Sequence, residues 1–370
     1  MVRSGRFRGL ALLATLAALG GVLALAAGVG SGATEKAEGT TTLKIGYVTG
    51  AAHPYGQTMN QFVSLVNQAS GGSLQIQPLP LYAGGDDVQL LNDIKGGAVD
   101  GGAVSTVVWT TAKINSFVAL QMPFLIDNYA LEQRVIGNSS GIAQRMLKQA
   151  TDKAGLVGLG LFEGGMRQFA LKNKDVNAVS DLKGLKIRTP PGDPITSTIQ
   201  ALGASPTPIA IGQTFQSLQS GVVDGMEANT GLVNTFRFDQ AGIRHITIAN
   251  LFPFPAAVVM SKASFDKLTP DQQAILRNAA KDLPAFSISV VSGQATTNNA
   301  PNLACSRGVK YHQLPPAARA AFIKAVRPVY TKWQKNKQVA SFISQIQKLK
   351  AKPAFRSGAP TDVPPPDCME

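Results

Sequence analysis

Two arginines in the chain stand where a small anion could be gripped. Arg188 closes the apolar run LKI (185–187) and is followed, after Thr189, by Pro190 and Pro191. Arg167 follows the glycine turn FEGGM (162–166). A planar guanidinium fork matches a carboxylate with two parallel hydrogen bonds. Each charge-assisted bond of that kind contributes about 1.5–3 kcal/mol. The prolines restrict the backbone beside Arg188, which lowers the entropy cost of holding its fork in place. An ordinary surface arginine is the competing reading. Catalytic constellations do not assemble. His53, His245 and His312 are scattered, with none at metal-ligand spacing from another His or Cys. No G-x-S-x-G elbow, phosphate-cradling G-x-x-x-x-G-K-[ST] or H-E-x-x-H occurs, and Gly158-x-Gly160 lacks the third glycine of a dinucleotide fingerprint. A nucleophile with a base to orient it is missing. The expectation is binding without catalysis, with no cofactor and no metal.

The elements that must position these arginines read as α/β. The run TLKIGYV (42–48) is strand-like, and HPYGQTMNQFVSLVNQAS (53–70) places Met59, Phe62, Leu65 and Val66 at helical spacing. LQIQPL (74–79) reads as a second strand. A helix is expected from Asp86 to Gly96–Gly97, followed by a short buried strand at GGAVST (101–106). This alternation predicts a lobe built on a largely parallel sheet. The same grammar restarts at AGLVGLGLFEGG (154–165), and Thr269, Pro270 and Gln272 form a capping signal for a later helix. The stretch 315–350 reads as wholly helical. Two α/β lobes with the chain crossing between them more than once make a cleft, where small ligands bind.

Length and ends set further bounds. The 370 residues suggest about two domains. Arg3, Arg6 and Arg8 precede an apolar run at 10–29 that ends in small residues, the pattern of an export signal. Cleavage near Ala33 is the simplest expectation, and the run is also long enough to span a bilayer uncleaved. Cys305 and Cys368 are the only cysteines. In an exported chain such a pair is expected to form a disulfide, worth about 3–4 kcal/mol for a loop of that size. Between Cys305 and Arg356 there are twelve Lys or Arg and no Asp or Glu, against a net charge of +13 for the whole chain. A nucleic-acid partner is disfavoured by the export signal. A solvated face, an anionic membrane surface or an acidic partner remain open readings of this segment.

A family resemblance rests on ordered motifs. DLKGLKIRTP (181–190) followed by LGASPTPIAIGQTFQSLQSGVVDGMEAN (202–229) resembles the DctP-type solute-binding proteins of tripartite ATP-independent periplasmic (TRAP) transporters. So do HPYGQTMNQFVSLVNQASGGSLQIQPLP (53–80), QMPFLIDN (121–128), EGGMRQFALKN (163–173) and SKASFDKLTPDQQAIL (261–276). Together they cover roughly residues 43 to 345. The resemblance implies a two-lobed, periplasmic-binding-protein-like (Venus-flytrap) α/β fold with an interlobe cleft and a long bridging helix. It implies that Arg188 forms the salt bridge to an organic-acid carboxylate and that Arg167 is a second basic contact. Glu227 and Asn229 would line the cleft, as would His53, Tyr55, Ser105 and Thr106 from their loops. Phe124 and Phe169 would be apolar wall or core. Gln213 stands where the family usually has Glu, and so would set Arg188 in a different surrounding.

The expected organisation is a leader at 1–33 (cleaved or retained as an anchor) and a linker at 34–42. One lobe would comprise 43–163 plus about 250–283, and the other 164–249 plus about 284–312. Basic helices at 313–356 and a Pro-rich tail at 357–370 follow. The implied role is extracytoplasmic capture of a small carboxylate for TRAP permease subunits, by a monomer that touches membrane only through its leader or its permease. A module presenting ligand to a membrane sensor is the alternative.

Overall fold

A computed structural model describes residues 39–137, 140–296, 299–355 and 364–369. The leader and most of the Pro-rich tail lie outside these residues. The strands, in chain order, are β1 (Thr41–Tyr47), β2 (Leu74–Leu79), β3 (Gly101–Ser105), β4 (Leu156–Glu163), β5 (Gln168–Leu171) and β6 (Lys186–Thr189). They continue with β7 (Ser205–Pro208), β8 (Gly225–Ala228), β9 (His245–Ile248), β10 (Pro255–Ser261) and β11 (Lys310–Gln313). They make two sheets, ordered β2-β1-β3-β10-β4 and β11-β9-β5-β8-β6-β7. The chain therefore leaves the first sheet after β4, builds five strands of the second, returns for β10, and crosses once more to add β11.

That return explains a departure from expectation. In the first sheet β1 is parallel to β2 and β3, but β10 runs antiparallel to both β3 and β4. The sheet is mixed because β10 enters from the second sheet and not through a crossover helix. The second sheet is mixed as well: β6 is parallel to β7 and β8, while β5 is antiparallel to β8 and β9. The two connecting segments lie side by side, with Arg167 N donating to Phe252 O at 2.9 Å and Leu251 N donating to Arg167 O at 3.0 Å.

Local chemistry accounts for the helix ends that matter here. Asp86 caps the helix Asp87–Gly96, accepting from the backbone N–H of Val88 and Gln89 at 2.9 and 3.0 Å. Thr269 and Gln272 exchange reciprocal bonds of 3.2 Å at the start of the helix Pro270–Lys281. The inner strands β3, β5, β8 and β10 are buried along their whole length, while the edge strands β2, β7 and β11 are partly exposed. The bridging helix is represented by Leu283–Thr296, packed on β4, and Asn299–Cys305, packed on the helix Thr230–Thr235. Helices Pro316–Ala325, Arg327–Gln334 and Lys337–Lys350 follow. Cys305 and Cys368 are bonded, with Cα atoms 5.9 Å apart. No helix of the described residues is long and apolar enough to cross a membrane.

Candidate functional site

Arg188 sits inside the second sheet, on β6 between β7 and β8, and is 2% exposed. Its Nε donates to Ile209 O at 2.8 Å. Among the described residues, nothing accepts from its two terminal nitrogens and no carboxylate forms an ion pair with it. Burial is the largest influence on its pKa and, with nearby Arg167, lowers it, Glu227 and Asp87 raise it, and the balance lies at about 9. The side chain is therefore a charged fork at neutral pH, taken out of water and left without a partner, a costly state unless an anion joins it.

Arg167, fully buried on the crossing segment, is differently placed. Its Nε meets Glu227 Oε2 at 2.5 Å, and its Nη2 donates to Glu227 Oε1 at 2.9 Å and to the Glu227 carbonyl at 3.0 Å. The guanidinium lies 4.2 Å from the centroid of the Phe254 ring, and its buried Nη1 has no acceptor. Glu227 thus pairs with Arg167 and leaves Arg188 without a carboxylate in contact. The two arginines line one recess of about 420 Å³ together with Val48, Thr49, Asp87, Val108, Pro190, Pro191, Leu232 and Phe254.

Asp87 was read in the sequence only as part of a helix start. It faces the arginines across the recess, where its Oδ1 accepts from Ser105 N at 3.0 Å and its Oδ2 from Ser105 Oγ at 2.8 Å. Burial raises its pKa to about 6, against the Ser105 bonds and the Arg188 charge, which lower it. The adjacent pair Asp86–Asp87 was the available signal: one carboxylate is enough for a cap, which leaves the second free for another task.

The other expected contacts divide. His53 and Asn229 come together, with His53 Nε2 3.3 Å from Asn229 Oδ1. His53 Nδ1 accepts from Tyr55 N at 3.1 Å, so its proton is on Nε2 and the ring donates to Asn229. Burial holds the His53 pKa down at about 4. Asn229 also donates to Gly164 O at 2.9 Å and caps the helix Thr230–Thr235, accepting from Leu232 N at 2.8 Å. This pair ties the two halves together beside the recess and does not line it. Ser105 acts through Asp87. Tyr55 is core, donating to Ala103 O at 2.8 Å and packing edge-on to Phe162. Thr106 is occupied with Pro255 O at 2.9 Å, and Phe169 packs against Phe322. Phe124 lies under Arg319, 4.9 Å from its guanidinium. Gln213 is exposed at the start of the helix Thr214–Gln219 and does not reach Arg188. For Tyr55, Thr106, Phe124 and Gln213 the expectation of a place on the cleft wall is not met in this arrangement, because each is held elsewhere.

At one edge of the recess two backbone segments meet closely. A Cβ on Gly212 would lie 1.6 Å from Gly84 O, and one on Gly85, which has φ +92°, would lie 2.8 Å from Ile211 Cγ2. On the same side, Asp193 N donates to Thr110 Oγ1 at 2.9 Å. Gly212→Ala is expected to prop the halves apart and weaken ligand binding about tenfold or more, chiefly through faster release, with little change in melting temperature. Surface plasmon resonance on the variant checks this, and an unchanged dissociation rate refutes it.

Comparison with known proteins follows the same outline. Residues 45–337 match the family model of bacterial extracellular solute-binding proteins, family 7 (DctP). The C4-dicarboxylate-binding periplasmic protein DctP of Rhodobacter capsulatus is 25% identical over 78% of this chain and 85% of its own. A TRAP periplasmic solute-binding protein of Ralstonia eutropha H16, solved with (S)-2-hydroxy-2-methyl-3-oxobutanoate, superposes with a TM-score of 0.75 at 26% identity, covering 83% of this chain and 99% of that one. A counterpart from Bradyrhizobium sp., in complex with galacturonate, has a TM-score of 0.75 at 28% identity, covering 83% and 100%. The family's role is binding for transport, not catalysis. With its two crossing segments and its matched span, the chain belongs to the DctP family of TRAP solute-binding proteins.

Proposed function

We propose that the chain is an extracytoplasmic receptor that captures a small hydroxylated monocarboxylate by closing its two halves over Arg188, and then delivers it to the membrane permease subunits of a TRAP transporter. The observation that carries this reading is the buried, unpaired fork of Arg188, lining a recess in which the neighbouring Arg167 is already paired with Glu227. A carboxylate there completes two charge-assisted bonds and removes the cost of an isolated buried charge. The ligands bound by the relatives support an organic acid, and one of them, (S)-2-hydroxy-2-methyl-3-oxobutanoate, pairs a single carboxylate with a hydroxyl.

Asp87 narrows the class. Above its pKa of about 6 it is an anion across the recess from Arg188. A ligand hydroxyl can donate to it, whereas a second carboxylate is repelled. Below that pH the protonated Asp87 no longer repels. Thermal shift against a panel of hydroxy acids, sugar acids and dicarboxylates, measured well above and well below that pKa, tests the proposal. The hydroxylated monocarboxylates are expected to stabilise most on the alkaline side, and dicarboxylates to gain as pH falls. Asp87→Asn is expected to raise dicarboxylate affinity about tenfold at the higher pH, the scale of removing one unfavourable charge contact. Dicarboxylates binding tightest at high pH would sink the assignment to monocarboxylates.

A further inference from the structure

The basic C-terminal segment takes no part in the ligand recess, none of whose lining residues comes from the three C-terminal helices. Those helices rest on the core through Phe322, Val326, Val329, Val339, Phe342 and Ile346. Their cations fall into two sets. The inner set tethers the helices to acids elsewhere in the chain: Arg319 and Lys350 meet Asp127 at 2.7 and 2.8 Å, and Lys332 meets Asp193. The outer set is Lys324, Arg327, Lys335, Lys337, Lys348 and Lys352. All six are exposed, and none has an ion-pair partner among the described residues. Lys337 and Lys348 are eleven residues apart, three helical turns, and so project from one side of their helix.

The solvent face of Pro316–Ala325 adds a second observation. Its exposed positions are Pro316, Ala317, Ala320, Ala321, Ile323 and Lys324, with Ile323 44% exposed. It is an apolar strip with a single charge, continued by the outer cations. Five of the six outer cations are lysines, point charges on flexible stems, and Arg327 is the single planar fork among them. Apolar small residues ringed by flexible lysines suit the boundary between headgroups and acyl chains.

We propose that this face docks the protein on an anionic phospholipid bilayer, leaving the recess open to solute. Each cation near such a surface strengthens binding about fivefold, and salt screens the attraction. The test is co-sedimentation of the purified chain with vesicles of equal parts phosphatidylcholine and phosphatidylglycerol, against phosphatidylcholine alone. Binding to the anionic vesicles only, weakening as salt rises, is expected. The triple variant Lys324→Glu, Lys335→Glu, Lys348→Glu should bind them at least about a hundredfold more weakly. Its thermal stabilisation by a ligand of the parent chain should be retained, which shows that the fold is intact. Equal binding to neutral vesicles, or undiminished binding by the triple variant, overturns the proposal. Binding to soluble poly-glutamate without binding to vesicles also overturns it and assigns the face to an acidic protein.

Discussion

Arg188→Ala is expected to lower affinity for a carboxylate ligand by about two to four orders of magnitude while leaving the fold in place. Two charge-assisted bonds at about 1.5–3 kcal/mol each give about 3–6 kcal/mol, and each 1.4 kcal/mol is a factor of ten. Stability should hardly fall, because the free protein carries this guanidinium at a cost. Its pKa stands at about 9 in the folded chain, well below the ordinary guanidinium range. The folded state therefore disfavours the charge at every pH below about 9 and is relieved only as pH rises beyond it. A bound anion removes the penalty, so affinity should decline as pH passes about 9. Arg188→Lys keeps a point charge but loses the planar fork and should recover only part of the affinity. Isothermal titration calorimetry on the three proteins checks the order, and equal affinity for Arg188→Ala would remove Arg188 from the site.

Glu227→Gln is expected to act on the fold first. It leaves Arg167, fully buried, without the carboxylate that takes two of its donors. Removing one partner of a buried ion pair costs about 3–5 kcal/mol, because the remaining charge is uncompensated. Denaturant unfolding should show the midpoint falling at an unchanged slope. The double variant Arg167→Met, Glu227→Leu should cost less than Glu227→Gln alone, since it buries no unpaired charge. A carboxylate ligand should stabilise Glu227→Gln more than it stabilises the parent, because Arg167 then has an anion to share. A Glu227→Gln protein as stable as the parent would mean that the pair does not hold the crossing segment.

The two variants separate the tasks of two arginines that look alike on paper. Under the proposed function Arg188 is the group that a ligand would satisfy, whereas Arg167 is satisfied from within by Glu227. Closure then depends on contacts remote from both: the glycine edges at 84–85 and 211–212, and the His53–Asn229 bond. Remote binding energy of this kind sets how long a ligand stays.

Much of this was legible from neighbouring residues alone. The helix of Asp86, the capping box of Thr269 and Gln272, and the strand that ends at Arg188 follow from periodicity and from side chains a few positions apart. Such interactions are local, so they are written in consecutive residues. The ordered motifs also point to Arg188 and Arg167, and both line one recess. The neutralisation of Arg167 is a contact across 60 residues, the His53–Asn229 tie one across 176, and the place of Asp87 opposite Arg188 depends on how the two sheets face each other. Adjacency to a motif did not bring Gln213 to the site, because a helix start at the surface points its side chain to water. The antiparallel course of β10 likewise follows only from the chain's return between the sheets. Residue type and spacing determined which groups were available for an anion; the distant pairings made by the fold decided which of them remained free to bind it.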